Sequence, residues 1–273
     1  MNSVVYVNCN PHAAYEDDSF MGKLKDRFKI KLEGENLIKE LGINIAKVRF
    51  PPNFNKQAYM KNIEICKKYG NKGAINLAPK TYRKLDYLLL SDYQKDLFAY
   101  SVVKSIQLIL RVRKKSIKTS CIAVYDAAEA INERILCELA KESRYVILLS
   151  QNISESRRIS DYIAANYGTS PVVTNDIEYV LKSADFIITS RNITKDIMSP
   201  VWYIDNMYIP NNPKSIAIND VTYIVPWNTG GLDMSIELLG AILGTMEEKD
   251  IEKSLRYNGI MLDKIMFNSK VSY

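Results

Sequence analysis

The sequence predicts an α/β protein of two lobes, an N-terminal α/β lobe followed by a Rossmann-like parallel sheet. Short apolar, β-branched runs alternate with amphipathic stretches along most of the 273 residues, which is typical of parallel strands joined by helices. After residue 120 this alternation becomes regular, as right-handed helical crossovers between parallel strands require. The predicted domains are an N-terminal α/β lobe with a long linking helix at 1–110, a Rossmann-like domain at 111–240, and a C-terminal helical segment that packs back on the body at 241–273.

The N-terminal lobe contains three predicted strands and two helices, followed by a long helical region. The β-branched runs predict strands at 3–8, 43–49 and 73–77, and the amphipathic stretches between them predict helices at 33–41 and 56–69. From residue 82 to residue 115 the chain reads as helix with a break near Ser91. Its second half carries an apolar stripe through Leu97, Val102, Ile106 and Leu110.

The second lobe alternates more regularly between the two patterns. We predict strands at 121–126, 145–150, 171–174, 185–189, 215–219 and 221–225. Helices are predicted at 129–142, 154–167 and 176–182, and again from 231 and from about 248.

Composition limits the classes of partner and site. A net charge of +6 permits a small anionic ligand but makes nucleic acid an unlikely partner. No apolar run is long enough for a membrane span and the N-terminus lacks a signal peptide, so we expect a cytoplasmic protein. The four cysteines have no CxxC spacing, and His12 is the only histidine, so no metal site is predicted. The richness in lysine, isoleucine, asparagine and tyrosine suggests an AT-rich bacterial genome.

The turn YDAAEA, residues 125–130, joins the first strand of the predicted Rossmann sheet to its helix. In the glycine fingerprint of dinucleotide loops, Asp126, Ala128 and Ile131 would take the three glycine places. Ile131 would crowd the strand, and the carboxylates of Asp126 and Glu129 would repel a pyrophosphate at the helix N-terminus. The same acids suit a capping box, with Asp126 as the N-cap. The sequence therefore favours a self-capped, degenerate loop, with an unusual ligand site as the alternative.

Two other loops are candidates for binding an anion. Asn228, Thr229, Gly230 and Gly231 precede a predicted helix, where free backbone amides and a helix N-terminus would attract negative charge. A turn that only starts the helix explains this segment equally well. His12 lies in a polar loop after the first strand, at the carboxyl edge where α/β sheets bind ligands.

The segment SQNISESRR, residues 150–158, begins a resemblance to the shikimate dehydrogenase family and its two-domain relatives. At this place the family carries a segment that contacts the 2′-phosphate of NADP. By resemblance, Gln151, Asn152 and either Arg157 or Arg158 would line that contact. No acidic residue ends the preceding strand, which favours NADP over NAD if either binds, so the cofactor stays open with NADP as the candidate.

Three further segments are similar to motifs of the same family. SADFIITSR resembles its A-D-x-x-I-N-A-T strand and implies that Thr189 and Ser190 lie beside the cofactor, and GGLDMSIELLGAILG resembles its C-terminal helix. NLAPK, residues 76–80, resembles its N-x-T-x-P-x-K segment but is one residue shorter. The resemblance implies Lys80 as a catalytic lysine, with Asp96 or Asp92 as its carboxylate partner.

Three functions fit this sequence, and it leaves open whether the chain is an enzyme. The first is a binding or regulatory protein that takes a small anionic metabolite or nucleotide without conventional hydride transfer. The second is an atypical NADP-dependent oxidoreductase that acts on a small carboxylic acid. The third is a scaffold that pairs with other proteins or with a second copy of itself through an apolar helix.

Overall fold

The computed structural model has the α/β fold class that the sequence predicts, and it describes residues 2–10, 13–70, 75–207, 210, 215–268 and 270–272. The chain forms two compact units. Unit 1 comprises Met1–Leu97 and Thr222–Asp263, and unit 2 comprises Phe98–Val221 and Lys264–Tyr273. Each unit contains its own sheet and its own buried apolar residues.

Unit 1 is built on a four-stranded sheet. Its strands are β1 (Asn2–Asn8), β2 (Lys31–Ile38), β3 (Ile43–Arg49) and β4 (Ile75–Lys80). Their order is β2-β3-β1-β4, and β1 runs parallel to both β3 and β4. Asn8 is paired in register with Arg49 on one side and Lys80 on the other. These three residues therefore form a row along the carboxyl edge of the sheet.

The helix predicted at 33–41 is wrong, because this segment forms strand β2, antiparallel to β3. A tight turn returns the chain to β3, and Gly42 supplies its positive φ of 62°. On the exposed face, the Glu33 carboxylate pairs across the strands with Lys47 at 3.2 Å and Arg49 at 2.7 Å. Cross-strand pairing of opposite charges thus outweighs the helical propensity of the segment.

Apart from the segment 33–41, the helices predicted for unit 1 are present, although α8 begins at Ile236 and not at 231. Helix α1 (Phe20–Lys29) was not predicted, and its N-cap Ser19 accepts a hydrogen bond from Gly22 N. The predicted break at Ser91 is confirmed, since the Ser91 and Gln94 side chains each accept a hydrogen bond from the other's backbone N–H. The remaining helices are α2 (Lys56–Lys67), α3 (Arg83–Asp86), the first turns of α4 (Asp92–Val112), α8 (Ile236–Leu243) and α9 (Ile251–Tyr257).

Unit 2 contains a six-stranded sheet in which all neighbouring strands are parallel. Its strands are β5 (Cys121–Tyr125), β6 (Tyr145–Leu149), β7 (Val172–Thr174), β8 (Phe186–Thr189), β9 (Val201–Tyr203) and β10 (Ala217–Ile218). The helices between them are α5 (Ala130–Glu142), α6 (Ile153–Tyr167) and α7 (Ile177–Ser183). The order β10-β9-β8-β5-β6-β7 is the 3-2-1-4-5-6 arrangement of doubly wound dinucleotide-binding sheets. The predicted Rossmann-like topology is therefore present.

A third, smaller sheet has the order β12-β11-β13-β14. Its strands are β11 (Asp220–Ile224), β12 (Met234–Ser235), β13 (Met261–Phe267) and β14 (Lys270–Val271). Only β11 was predicted from the sequence, and the chain after α9 forms strands where we expected helix. Among the described residues, no helix has both the length and the apolar character needed to cross a membrane.

Candidate functional site

The turn after β5 has one left-handed residue, Asp126, at the place of the first glycine of a dinucleotide loop. Asp126 has a φ of 60°, the left-handed conformation that the first fingerprint glycine normally supplies. Aspartate tolerates this conformation better than most residues do. Both Asp126 N and Ala127 N donate to the Leu149 carbonyl at the end of β6. The turn is thus held against the carboxyl edge of the parallel sheet.

The Asp126 carboxylate forms an ion pair with Arg191, which follows the end of β8. The Asp126 side chain is only 8% exposed, whereas the Arg191 side chain is 54% exposed. Behind the pair, buried Asn132 donates to the Asp126 carbonyl at 2.9 Å and to Ser190 Oγ at 3.4 Å. An internal guanidinium–carboxylate pair therefore lies at the turn where a fingerprint loop would hold a pyrophosphate.

The capping box predicted for this turn is wrong. The N-cap of α5 is Glu129, which makes no side-chain capping hydrogen bond, because Asp126 is engaged with Arg191 instead. Within the described residues, the backbone amides of Ala128, Ala130 and Ile131 have no hydrogen-bond partner. The helix N-terminus therefore retains unused donors beside a negative charge.

A pocket of about 440 Å³ lies between α5 and α6. It brings together two of the predicted cofactor residues, Ala128 and Arg158. Its other charged residues are Glu129, Glu133 and Glu155, and Glu155 pairs with Arg158 at 2.7 Å. Three carboxylates against one guanidinium give the pocket a negative balance, which disfavours phosphate.

The other predicted cofactor residues lie at the start of α6 and at the end of β8. Gln151, Asn152 and Arg157 are exposed, and Asn152 Oδ1 caps α6 by accepting from Glu155 N. Thr189 and Ser190 are fully buried. Thr189 Oγ1 accepts from Arg191 N and donates to the Arg191 carbonyl, which shapes the bend that carries the arginine.

The carboxyl edge of the unit 1 sheet adjoins a larger pocket of about 710 Å³. Four cations and one acid line it, namely Lys29, Lys31, Lys47, Arg49 and Glu33. Its other polar lining comes from Asn8 and Asn10 after β1. Partial burial alone would raise the pKa of Glu33. The hydrogen bonds from Arg49 and Lys47 outweigh the burial and lower that pKa, so this acid stays ionised. The pocket nevertheless keeps an excess of positive charge. We call this pocket, whose charged lining is Lys29, Lys31, Glu33, Lys47 and Arg49, the basic pocket.

The comparisons with known proteins find likeness at the level of folds. No family model matches the chain, and no curated protein matches it by sequence. The chain is similar to a shikimate dehydrogenase solved in complex with NADP+, with a TM-score of 0.42 and 13% identity over 90% of this chain and 96% of that one. It is also similar to the quinate dehydrogenase from Corynebacterium glutamicum in complex with NAD, with a TM-score of 0.41 and 11% identity over 96% of each chain.

A third similar structure is the shikimate dehydrogenase from Aquifex aeolicus, with a TM-score of 0.40 and 14% identity over 93% of this chain and 98% of that one. These values assign neither an activity nor a cofactor to the present chain.

Lys80 and Asp96, the predicted catalytic pair, both lie in unit 1. Lys80 is half-buried at the end of β4, in the row with Asn8 and Arg49. Asp96 is half-buried in the first turns of α4, whereas Asp92, the alternative partner, is exposed at the start of the same helix. The placement of Lys80 at the carboxyl edge is the one that a ligand-binding lysine needs.

A buried carboxyl, Asp86, lies beside this edge. It accepts hydrogen bonds from the Tyr59 hydroxyl and from the backbone amide and hydroxyl of Thr81, the residue that follows Lys80. Burial outweighs these bonds and raises the pKa of Asp86 to about 7. Burial likewise raises the pKa of the neighbouring Cys9 thiol to about 12, so that thiol stays protonated and is a poor nucleophile.

We expect the free energy of unfolding to fall as the pH rises from about 5 to about 8. Native Asp86 holds its proton up to about pH 7, whereas an unfolded aspartate loses it near pH 4. The native state therefore binds more protons across this interval, and stability declines by at most about 1.4 kcal/mol per pH unit. Urea unfolding at a series of pH values measures this slope. Asp86→Asn should remove it, and a wild-type stability that stays level or rises over the interval contradicts the assignment.

The loop at 228–231 does not begin a helix. Helix α8 starts at Ile236 with Ser235 as its N-cap, so the loop and the helix N-terminus are separated by β12. Asn36 of β2 donates to the Thr229 carbonyl, and Gly230 N donates to Asn228 Oδ1. The positive φ values of Gly230 and Gly231, 60° and 83°, serve this turn. The expectation that a helix N-terminus adds positive potential at the loop is therefore wrong.

His12 lies outside the described residues. Within the described part of the chain, no group of three or more histidine, cysteine, aspartate or glutamate side chains could hold a metal ion. The residues that sequence reasoning missed are Arg191 and the cations of the basic pocket. Arg191 and Arg49 each lie at or just after the carboxyl end of a predicted strand, and this position was the available signal.

Proposed function

We propose that this chain is a binding protein for a small anionic metabolite, held in the basic pocket of unit 1. The observation that carries the proposal is the excess of cations around one pocket at the carboxyl edge of a largely parallel sheet. Ligands of open α/β sheets gather at that edge. The volume of about 710 Å³ suits a metabolite-sized ligand.

The side chains around the pocket fit carboxylates or phosphates. The Arg49 guanidinium offers a planar fork of donors, and Lys29, Lys31 and Lys47 add point charges. Glu33 holds Lys47 and Arg49 side by side before any ligand arrives. A ligand carrying two or more negative charges would use more of these cations than a single carboxylate could.

The Rossmann unit supports a binding role without conventional hydride transfer. The ion pair between Asp126 and Arg191 neutralises the Arg191 guanidinium and places a carboxylate next to the open amides of α5. A pyrophosphate at this turn would meet that carboxylate at short range, where repulsion is strong. We therefore place the ligand of this protein in unit 1 and assign no dinucleotide to unit 2.

The experiment is isothermal titration calorimetry with citrate and inorganic phosphate as probes. Lys47→Gln combined with Arg49→Gln removes two cations and leaves Glu33 without these partners, so affinity should fall at least roughly tenfold. The matched control is Lys56→Gln combined with Lys61→Gln, which removes the same charge from exposed positions on α2. The proposal fails if the wild type binds neither probe or if the control pair loses as much affinity.

A second candidate function is an atypical NADP-dependent oxidoreductase acting on a small carboxylic acid. Two observations favour it, the 3-2-1-4-5-6 strand order of unit 2 and the position of Lys80 in the row with Asn8 and Arg49. In this reading Lys80 transfers a proton and Asp96 positions it. The two functions share the anion site and differ in whether the Asp126 turn accepts NADP.

A further inference from the structure

Helix α1 presents an apolar face to solvent. The exposed fractions of its large apolar residues are 78% for Phe20, 68% for Met21, 41% for Leu24 and 71% for Phe28. Spacing of four residues puts Phe20, Leu24 and Phe28 in one row along the helix, with Met21 beside it. A contiguous exposed apolar face of this kind marks an interaction surface in a folded protein.

The opposite side of α1 fixes this orientation. Asp26 is fully buried and accepts hydrogen bonds from Asn53 Nδ2 at 2.7 Å, from Asn62 Nδ2 at 2.9 Å and from the Tyr15 hydroxyl. Gly22, one turn earlier on the same side, packs so closely on Asp17 that a Cβ would come within 2.4 Å of its carboxyl carbon. The apolar row cannot turn inward without breaking these contacts, so it stays exposed.

The charges beside the apolar face are all positive. Lys23 and Arg27 lie along one side of the row, and Lys25 and Lys29 lie along the other. Asp26, the only acid of the helix, faces inward. The acids Glu16, Asp17 and Asp18 precede the N-cap and lie at the end of the helix where its dipole is positive.

We propose that α1 is an interfacial anchor that docks this protein onto an anionic membrane surface. The apolar row would enter the boundary between headgroups and acyl chains, and Lys23, Lys25 and Arg27 beside it would contact lipid phosphates, as in amphipathic helices that lie in the membrane plane. A second copy of the chain fits this face less well, because a symmetric contact would bring the same cations of both copies together and they would repel one another. The face is the convex side of a helix. Such a face can lie in a lipid surface, whereas a protein partner would need a groove to receive it.

The test is co-sedimentation of the full chain with two kinds of vesicle, phosphatidylcholine alone and phosphatidylcholine mixed with phosphatidylglycerol. We expect binding to the mixed vesicles, little binding to phosphatidylcholine alone, and weakening as salt is raised. Phe20→Ser combined with Phe28→Ser should lower the partition coefficient at least roughly tenfold while leaving the thermal midpoint unchanged, since both side chains are exposed. The control is Leu88→Ser combined with Tyr257→Ser, which alters apolar residues that are 58% and 72% exposed elsewhere in unit 1.

The proposal is overturned if the wild type does not sediment with the anionic vesicles, or if the control pair loses binding equally. It is also overturned if sedimentation equilibrium without lipid shows a dimer that Phe20→Ser and Phe28→Ser dissociate. That result would assign the face to a second copy of the chain.

Discussion

Asp126→Gly is expected to raise the affinity of unit 2 for NADPH by roughly ten- to a hundredfold, the equivalent of about 1.4 to 3 kcal/mol. The change removes the carboxylate that repels phosphate, and glycine adopts the φ of 60° at this position without strain. It also removes the carboxylate that pairs with the Arg191 guanidinium. That cation can then bind a phosphate beside the open amides of Ala128, Ala130 and Ile131. Nucleotide fluorescence on titration measures the gain.

Arg191→Ala is the matched control for this prediction. It breaks the same ion pair but leaves the Asp126 carboxylate in place, so it should give no gain in NADPH affinity. If both variants bind NADPH alike, or if Asp126→Gly binds no better than the wild type, the Asp126 carboxylate is not what prevents NADPH from binding at this turn.

Asp26→Ala is expected to lower the free energy of unfolding by about 3–5 kcal/mol. The carboxylate is the common acceptor of Tyr15, Asn53 and Asn62, and its loss leaves three donors without their acceptor in a largely buried place. Urea unfolding measures the change. Asp18→Ala, which removes an exposed acid from the preceding loop, should stay within about 0.5 kcal/mol of the wild type. A loss below about 1 kcal/mol for Asp26→Ala would mean that water replaces the carboxylate at this site.

The alternating patterns predicted the Rossmann sheet well because parallel strands are buried on both faces and therefore read as continuous apolar runs. β5, β6 and β8 all carry this signal. The pattern failed at β2, whose side chains are mostly exposed and whose pairing with β3 depends on cross-strand charges. It also missed α1, although Phe20, Leu24 and Phe28 recur at helical spacing there, and the structure shows that this apolar face is exposed to solvent.

The candidate site could be predicted only in part. The missing glycines indicated a degenerate loop. The structure adds an ion pair that the sequence did not indicate, in which Arg191, after a different strand, contacts Asp126 in the loop. Such a pair is 65 residues apart in the chain and has no local pattern. The basic pocket was missed for the same reason, because Lys31 is paired in register with Arg49 only when the unpredicted strand β2 forms beside β3.

The measurement that tests the central claim most directly is a titration of the isotopically labelled wild-type protein with NADPH, followed by the chemical shifts of its backbone amides. The claim is that the ion pair between Asp126 and Arg191 prevents a dinucleotide from binding at the turn after β5, and that anions bind in unit 1. We predict that the amides of Ala128, Ala130 and Ile131 do not shift, and that any shifts fall around Lys47 and Arg49. Saturable shifts of the three α5 amides at submillimolar NADPH would contradict the claim and establish unit 2 as a working dinucleotide site.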